Sequence, residues 1–169
     1  MGDGGRRQTA LDCYIHRIVS GGQSGVDRAA LDVALSVGTQ CGGWCPKGRR
    51  AEDGAIPPRY RLRETPSPEY RQRTEWNVRD SDGTLVIAWG QPAGGTALAL
   101  RYANHIAKPC LVVDPRDDRA LPQTVEWVRH RGIRALNVAG PRQSEAPEAY
   151  PLAREFLMRL LEALCSTGA

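Results

Sequence analysis

Residues 21–25, Gly-Gly-Gln-Ser-Gly, follow the short apolar run from Arg17 to Ser20 and lead into the amphipathic stretch from Val26 to Val37. In that order these residue types make an anion cradle. Glycines let backbone N–H groups come close to a phosphate, and a helix start adds unsatisfied donors and the positive end of a dipole. Ser24 followed by Asp27 has capping-box spacing, which sets the helix start just after the turn. Gly21, Gly22, Gln23, Ser24, Gly25, Asp27 and Arg28 are therefore candidate ligand-binding residues. Neither the dinucleotide fingerprint GxGxxG nor the Lys-Ser/Thr ending of a P-loop is present. The chemistry implied is the binding of an anionic or nucleotide-like ligand rather than of one particular cofactor. The competing explanation is a turn whose glycines serve only close packing.

Two further turns carry the same chemistry. Pro92-Ala93-Gly94-Gly95-Thr96 again puts paired glycines and a threonine before a helix, and Gly140-Pro141-Arg142-Gln143-Ser144 offers a glycine and a cation. Lys47, Arg49 and Arg50 place three cations within four positions, which suits an anion gate; they suit equally a solvated loop, or pairing with Glu52 and Asp53. Tyr70, Arg73, Thr74 and Asn77 recur at helical spacing and share one face. Such a polar stripe faces water by default, with Arg73 and Asn77 the members to test for ligand contact. Ser81 and Asp82 have the chemistry to hold a cation or a ribose hydroxyl, whereas Asp80 reads as a helix end. His16, His105 and His130 have no mutual spacing that makes a metal site or a nucleophile–base pair. Cys41 and Cys45 lack a second Cys/His pair, so no protein-coordinated metal and no catalytic residue is expected.

The elements that must position these groups alternate between strand and helix. Strands are expected at 17–20, 40–45, 84–88, 110–113 and 135–139, and helices at 26–37, 69–82, 97–107, 121–131 and 151–164. Leu152, Phe156, Leu160 and Leu164 fall on one face of the last helix. The run Thr84 to Ala88 is apolar throughout, as in a parallel strand buried on both faces. The result is an α/β, Rossmann-like, doubly wound and mainly parallel sheet of about five strands with helices on both faces. Ligands of such sheets sit beyond the carboxyl ends of the strands, and the three glycine turns all belong there. The segment from Pro46 to Thr74 is long for a loop inside a compact domain, and loops of that length are often functional.

The 169 residues suffice for one α/β domain, expected over 15–165, after a polar, Gly-rich and loosely ordered segment at 1–14. The formal charge is +4, and Lys47 and Lys108 are the only lysines among 23 basic residues. Arginine suits bidentate contact with phosphate or carboxylate. No basic stripe interleaved with aromatics marks a nucleic-acid surface, so nucleic acid is not an expected partner. Five cysteines, an odd number, read as belonging to a reducing cytoplasm, with Cys110 at the opening of a buried strand a small core residue rather than a reactive one. No membrane span or signal peptide is read.

At SGGQSGVDRAALDVA, WCPKGRRAEDGAIP, YRQRTEWNVRDSDGTLVIAWG, PAGGTALAL and LNVAGPR the chain resembles the family named for molybdenum carriage. This is the circularly permuted YpsA branch of the SLOG superfamily, related to the lysine-decarboxylase-like LOG proteins. The resemblance covers about 15–164. It implies a Rossmann-like fold, usually a homo-oligomer (dimer or tetramer), that binds nucleotide-related ligands or the molybdenum cofactor as cargo. The family's first Gly-rich block falls on Gly21, Gly22, Gln23, Ser24 and Gly25, and its second on Gly94, Gly95 and Thr96. A carrier grips the pterin and its phosphate without coordinating the metal, and molybdate presents tetrahedral oxygens as phosphate does. The function implied is a carrier or sensor. The alternative is a LOG-type hydrolase of the N-glycosidic bond in nucleoside monophosphates. LOG enzymes resemble a pattern PGGxGTxxE, but here Ala97 to Leu100 contain no carboxylate, and glycosidic hydrolysis favours a placed one. Asp27, Asp82 and Asp114 are left as substitutes. For the carrier, Gly21 to Gly25 would hold the phosphate, Gly94 to Thr96 form a second wall, and Arg142, Arg73 and Lys47 supply charge, with Gly140 at the third turn.

Overall fold

The computed structural model describes residues 13–165. In chain order the elements are β1 (Arg17–Val19), α1 (Val26–Val37), β2 (Gln40–Gly42), β3 (Trp44–Cys45), β4 (Arg50–Ala51), β5 (Gly54–Ala55), β6 (Arg63–Glu64) and α2 (Tyr70–Arg79). They continue with β7 (Gly83–Ile87), α3 (Gly94–His105), β8 (Cys110–Val113), α4 (Ala120–His130), β9 (Ala135–Ala139) and α5 (Ala149–Cys165). Five strands form one sheet in the order β2-β1-β9-β7-β8, and every pairing in it is parallel. This is the Rossmann-like α/β architecture expected. The chain steps from β1 outwards to β2, then starts again at β7, moves out to β8, and returns to place β9 between β1 and β7. The strand ends at that central junction are where a doubly wound sheet opens a crevice.

β7 is buried at all five positions, as its unbroken apolar run requires of a strand covered on both faces. Its one polar side chain, Thr84, accepts a hydrogen bond from Asn137 Nδ2 of the adjacent β9 at 3.1 Å, so neither buried group is left unpaired. On one side of the sheet, Leu85, Ile87, Leu136 and Val138 join Val26, Ala30 and Val33 of α1, Val128 of α4 and Phe156, Leu157 and Leu160 of α5 in the main core. A smaller cluster, Val78 of α2 with Ala99 and Ala103 of α3, packs with Cys110 and Ala139.

The expected strand over 40–45 is broken. Gly43 takes φ of 134° where an added Cβ would lie 2.4 Å from the Ser20 carbonyl oxygen, so the chain turns away and β3 leaves the main sheet. The long segment after it is not a loop but a folded flap. Here β3 pairs in parallel with β6 and β4 pairs antiparallel with β5, over a core of Cys45, Ile56, Tyr60 and Leu62 that rests on Leu31 of α1. Helix α3 begins at Gly94, not Ala97, so its glycines lie inside the first turn.

The expected loose segment at 1–14 lies mostly outside the described residues, but its last two are held. Cys13 is joined to Cys165 by a disulfide, and the Tyr14 amide donates to the Leu164 carbonyl at 3.0 Å. Cys41, Cys45 and Cys110 are the free thiols among the described residues. Cys13 and Cys165 lie 152 positions apart in sequence, and only the docking of α5 beside the start of the sheet brings them together. Among the described residues, no helix is long and apolar enough to cross a membrane.

Candidate functional site

A cleft opens at the carboxyl ends of β1, β9 and β7, walled by α2 and by the start of α3. Gly21, Gln23, Asp27, Arg73, Asn77, Gly95, Thr96, Gly140 and Arg142 line it, so the structure gathers nine of the sequence-expected residues. Tyr70, Thr74, Asn137 and Glu145 complete much of the wall. The enclosed part measures about 80 Å³, far below the roughly 300–1,000 Å³ of sites that enfold a drug-sized ligand.

The polar stripe of α2 faces this cleft rather than water, which corrects the default expectation. Arg73 is 7% exposed and Asn77 3%. The reason is that α2 packs against α3 and the flap, and the stripe is what remains over the strand ends. Asn77 spends its amide on β3, accepting the Trp44 N–H at 2.7 Å and donating to the Trp44 carbonyl at 2.9 Å. Arg73 Nη1 donates to Asp27 Oδ2 at 3.2 Å, while its Nε is buried without any partner. The guanidinium occupies the place a side chain at position 21 would take, since an added Cβ there would stand 1.7 Å from Arg73 Nη1. Burial pushes the Asp27 carboxyl above its ordinary range, outweighing the opposing pull of Arg73 and of the Gln23 N–H.

The first Gly-rich turn differs from the expected cradle. Its amides are engaged by the protein itself: Gly22 N–H on Ser20 Oγ at 3.4 Å, Gln23 N–H on Asp27 Oδ2 at 3.4 Å, and Ser24 N–H on Gln23 Oε1 at 3.0 Å. The Val26 N–H donates to the Pro141 carbonyl at 3.2 Å. No side chain caps α1; its N-cap is Gly25, with φ of 79°. The capping box is therefore not formed. Ser24 instead donates its hydroxyl to Glu52 of the flap, and Asp27 reaches back to Gln23. By contrast, the first amides of α3, at Gly94, Gly95 and Thr96, have no partner within the helix and no side-chain cap at its N-cap. Nothing stands within 4 Å of an added Cβ at Gly95, so the open donors lie on the second glycine turn.

Two carboxylates that the sequence reading did not single out as ligand contacts shape the third turn. Glu52 accepts the Ser144 amide at 3.1 Å and the Ser144 hydroxyl at 2.5 Å besides that of Ser24, and stands 3.8 Å from Arg142 Nε. Partial burial raises its proton affinity, but these hydrogen bonds and Arg142 prevail and hold the carboxyl below its ordinary range. Glu145 pairs with Arg142 Nε at 3.4 Å and accepts the Arg142 amide at 3.2 Å. An added Cβ at Gly94 would lie 3.5 Å from Glu145 Oε1, which puts this carboxylate at the positive end of α3. The cleft lining thus carries two guanidiniums, Arg73 and Arg142, and two carboxylates, Asp27 and Glu145. Glu145 follows the Gly140 turn directly, a signal visible in sequence; the reach of Glu52 across 92 positions to Ser144 is not.

Several expected residues lie elsewhere. Ser81 and Asp82 precede β7 and so sit at the amino rim. The Ser81 hydroxyl donates to the Val78 carbonyl at 3.1 Å, and Asp82 accepts the amides of Arg134 and Ala135 at 2.9 and 2.7 Å, capping the entry to β9. Lys47 is exposed and outside the lining. Arg49 donates to four flap carbonyls, those of Ile56, Leu62, Pro57 and Tyr60, and so serves as the flap's internal tie rather than as an anion gate. Arg28 binds the Gly22 carbonyl and Asp53. Gly22, Ser24, Gly25 and Gly94 form the turns behind the lining rather than the lining itself. Asp114 is paired with Arg116 at 2.8 Å, away from the cleft. Among the described residues, no group of three or more His, Cys, Asp or Glu is placed to hold a metal ion.

The doubly wound α/β, Rossmann-like architecture is consistent with a SLOG-type protein. The chain belongs to the circularly permutated YpsA SLOG family, whose model matches residues 18–161. It is also similar to the crystal structure of a "putative molybdenum carrier protein" from Syntrophus aciditrophicus SB, with 44% identity and a TM-score of 0.83. That likeness covers 88% of this chain and 96% of the other. No curated protein matches.

Proposed function

We propose that the cleft is an oxyanion site through which the protein carries or senses an anionic small molecule. The ligand is the phosphate end of a phosphorylated pterin or nucleotide, the molybdenum cofactor among them, or molybdate itself. One observation carries the reading: the buried Arg73 keeps an unpartnered Nε beside a cleft that also holds the open start of α3. A guanidinium N–H and backbone donors at a helix N-terminus are complementary to tetrahedral oxygens. The small enclosed volume fits such a head group, with the rest of a larger ligand in the open mouth. Arg142 supplies a second cation once Glu145 yields it. The neighbour named as a molybdenum carrier and the shared family support the same choice of ligand. The reading includes a cytoplasmic homo-oligomer, dimer or tetramer. Metal analysis and mass spectrometry of ligand extracted from purified protein, with molybdate and phosphate titrated by calorimetry, test it. A saturable site lost in Arg73→Met supports it; no bound anion and no uptake of either oxyanion refutes it.

A second reading, N-glycosidic hydrolysis of a nucleoside monophosphate, is favoured by the presence of Asp27 and Glu145 in the lining. A carboxylate there can stabilise an oxocarbenium-like centre or take a proton from attacking water. Incubation with AMP separates the two: release of adenine that stops in Glu145→Gln selects the hydrolase.

A further inference from the structure

A second groove, of about 320 Å³, runs along the free edge of β2, separated from the cleft by Asn77, which lines the cleft and bonds Trp44 of the groove. Arg17, Arg61 and Arg63 line it together with Cys41, Trp44 and the backbone of Gly42 and Gly43. β2 is the last strand of the sheet on this side and pairs only with β1, so the flap residues Arg61 and Arg63 form the opposing wall. The Arg17 guanidinium lies against the sheet edge, 3.3 Å from where a Cβ on Gly42 would be. Arg63 lies over the Trp44 ring at 5.7 Å. The groove's one carboxylate, Asp80, is already engaged. It pairs with Arg79 at 2.7 Å and accepts the Trp44 indole N–H at 2.7 Å.

Arg28, Arg59, Arg71, Arg73, Arg79, Arg116, Arg119 and Arg142 form ion pairs, while other surface arginines such as Arg101 and Arg131 form none among the described residues; what marks this groove is that three arginines without an ion pair line one concavity. Arg17, Arg61 and Arg63 form none among the described residues. Three guanidiniums facing one concavity repel one another, and a multivalent anion between them removes that cost. We propose that this groove is a second anion site, taking a small ligand with two or more phosphate charges. Guanidinium forks match phosphate oxygens bidentately, which suits a ligand lying between the sheet edge and the flap. Cys41 reports on the site from the groove lining. Burial pushes its thiol up, while Arg61 and Arg17 pull it down, so an anion that neutralises them makes the thiol less reactive.

The test uses the full chain and inorganic pyrophosphate at fixed ionic strength, with calorimetry and alkylation of Cys41 read by mass spectrometry. Arg61→Glu and Arg63→Glu alter exposed side chains and keep the fold. Each is expected to weaken pyrophosphate binding by about tenfold or more and to abolish the protection of Cys41. Gly95→Gln fills the mouth of the cleft from an open position, so it should remove any pyrophosphate taken up there and leave intact the binding that protects Cys41. Because the cleft is tested by Arg73→Met and the groove by Arg61→Glu, failure of one site is distinguishable from failure of the other. Absence of saturable binding, wild-type affinity in both arginine variants, or loss of all binding in Gly95→Gln would each overturn the proposal.

Discussion

Replacing Gly21 by alanine adds one methyl group where the structure has no room for it. The new Cβ would lie 1.7 Å from Arg73 Nη1, 2.7 Å from Cζ and 3.0 Å from Cδ. Those atoms end a long side chain, so the guanidinium moves and the backbone stays. Moving it breaks the pair with Asp27 inside a site where both side chains are about nine-tenths buried. Breaking a buried pair costs roughly 3–5 kcal/mol when one charge is stranded, and Arg73 can lessen this by turning into the cleft; we expect about 3 kcal/mol. At about 2–4 °C per kcal/mol for a domain of this size, Tm falls by roughly 6–12 °C. Anion binding loses a charge-assisted hydrogen bond, about 1.5–3 kcal/mol, or roughly tenfold to 150-fold in Kd. The stability deficit also depends on pH. An acid whose folded pKa is raised holds its proton better in the folded state, so stability falls as pH rises across the window between the ordinary and raised values. Asp27 is such an acid, and loss of Arg73 raises its pKa further, so the deficit shrinks towards acid pH. Calorimetry with molybdate and phosphate measures Kd, and melts at several pH values measure the rest. Melting within a degree of wild type together with unchanged anion affinity would refute the placement of Arg73.

Glu145→Gln removes a carboxylate from the start of α3 and frees Arg142, so oxyanion affinity should rise by about 1 kcal/mol, roughly fivefold; unchanged calorimetry would show that Glu145 does not face the bound anion. Glu52→Gln loosens the flap from Ser24 and Ser144. Because the Glu52 carboxyl is depressed in the fold, its stabilisation exists above its ordinary pKa and is lost as pH falls through the folded value; the variant should melt lower than wild type at about pH 7, by a margin that shrinks as pH falls below the ordinary carboxylate range. Burial pushes the Cys110 thiol up to about 11, so iodoacetamide at mildly alkaline pH should label it only after unfolding, as peptide mapping will show. Asp82→Ala should lower stability through the lost cap on Arg134 and Ala135 while leaving oxyanion binding unchanged, a result that calorimetry can contradict directly.

The alternation of strand and helix, the parallel sheet and the gathering of three glycine turns at its carboxyl rim were legible because each depends on local patterning. Examples are the unbroken apolar run of β7 and the periodic face of α1. Gly21, Gln23, Asp27, Gly95, Thr96, Gly140 and Arg142 reached the cleft for the same reason, since a residue that follows a strand in a parallel sheet lies at that rim, whereas Arg73 and Asn77 arrive there only because α2 packs over the strand ends. Ser81 and Asp82 failed by the converse rule, because they precede their strand. What the sequence left undecided is which donors are spent within the fold. The amides of Gly22, Gln23 and Ser24 are satisfied by Ser20, Asp27 and Gln23, and Glu52 spans 92 positions to Ser144. Residue type sets what a group can bond, but a buried donor takes whichever acceptor packing brings within reach. That choice belongs to the tertiary structure, and it left the open backbone donors at the start of α3 rather than on the first glycine turn.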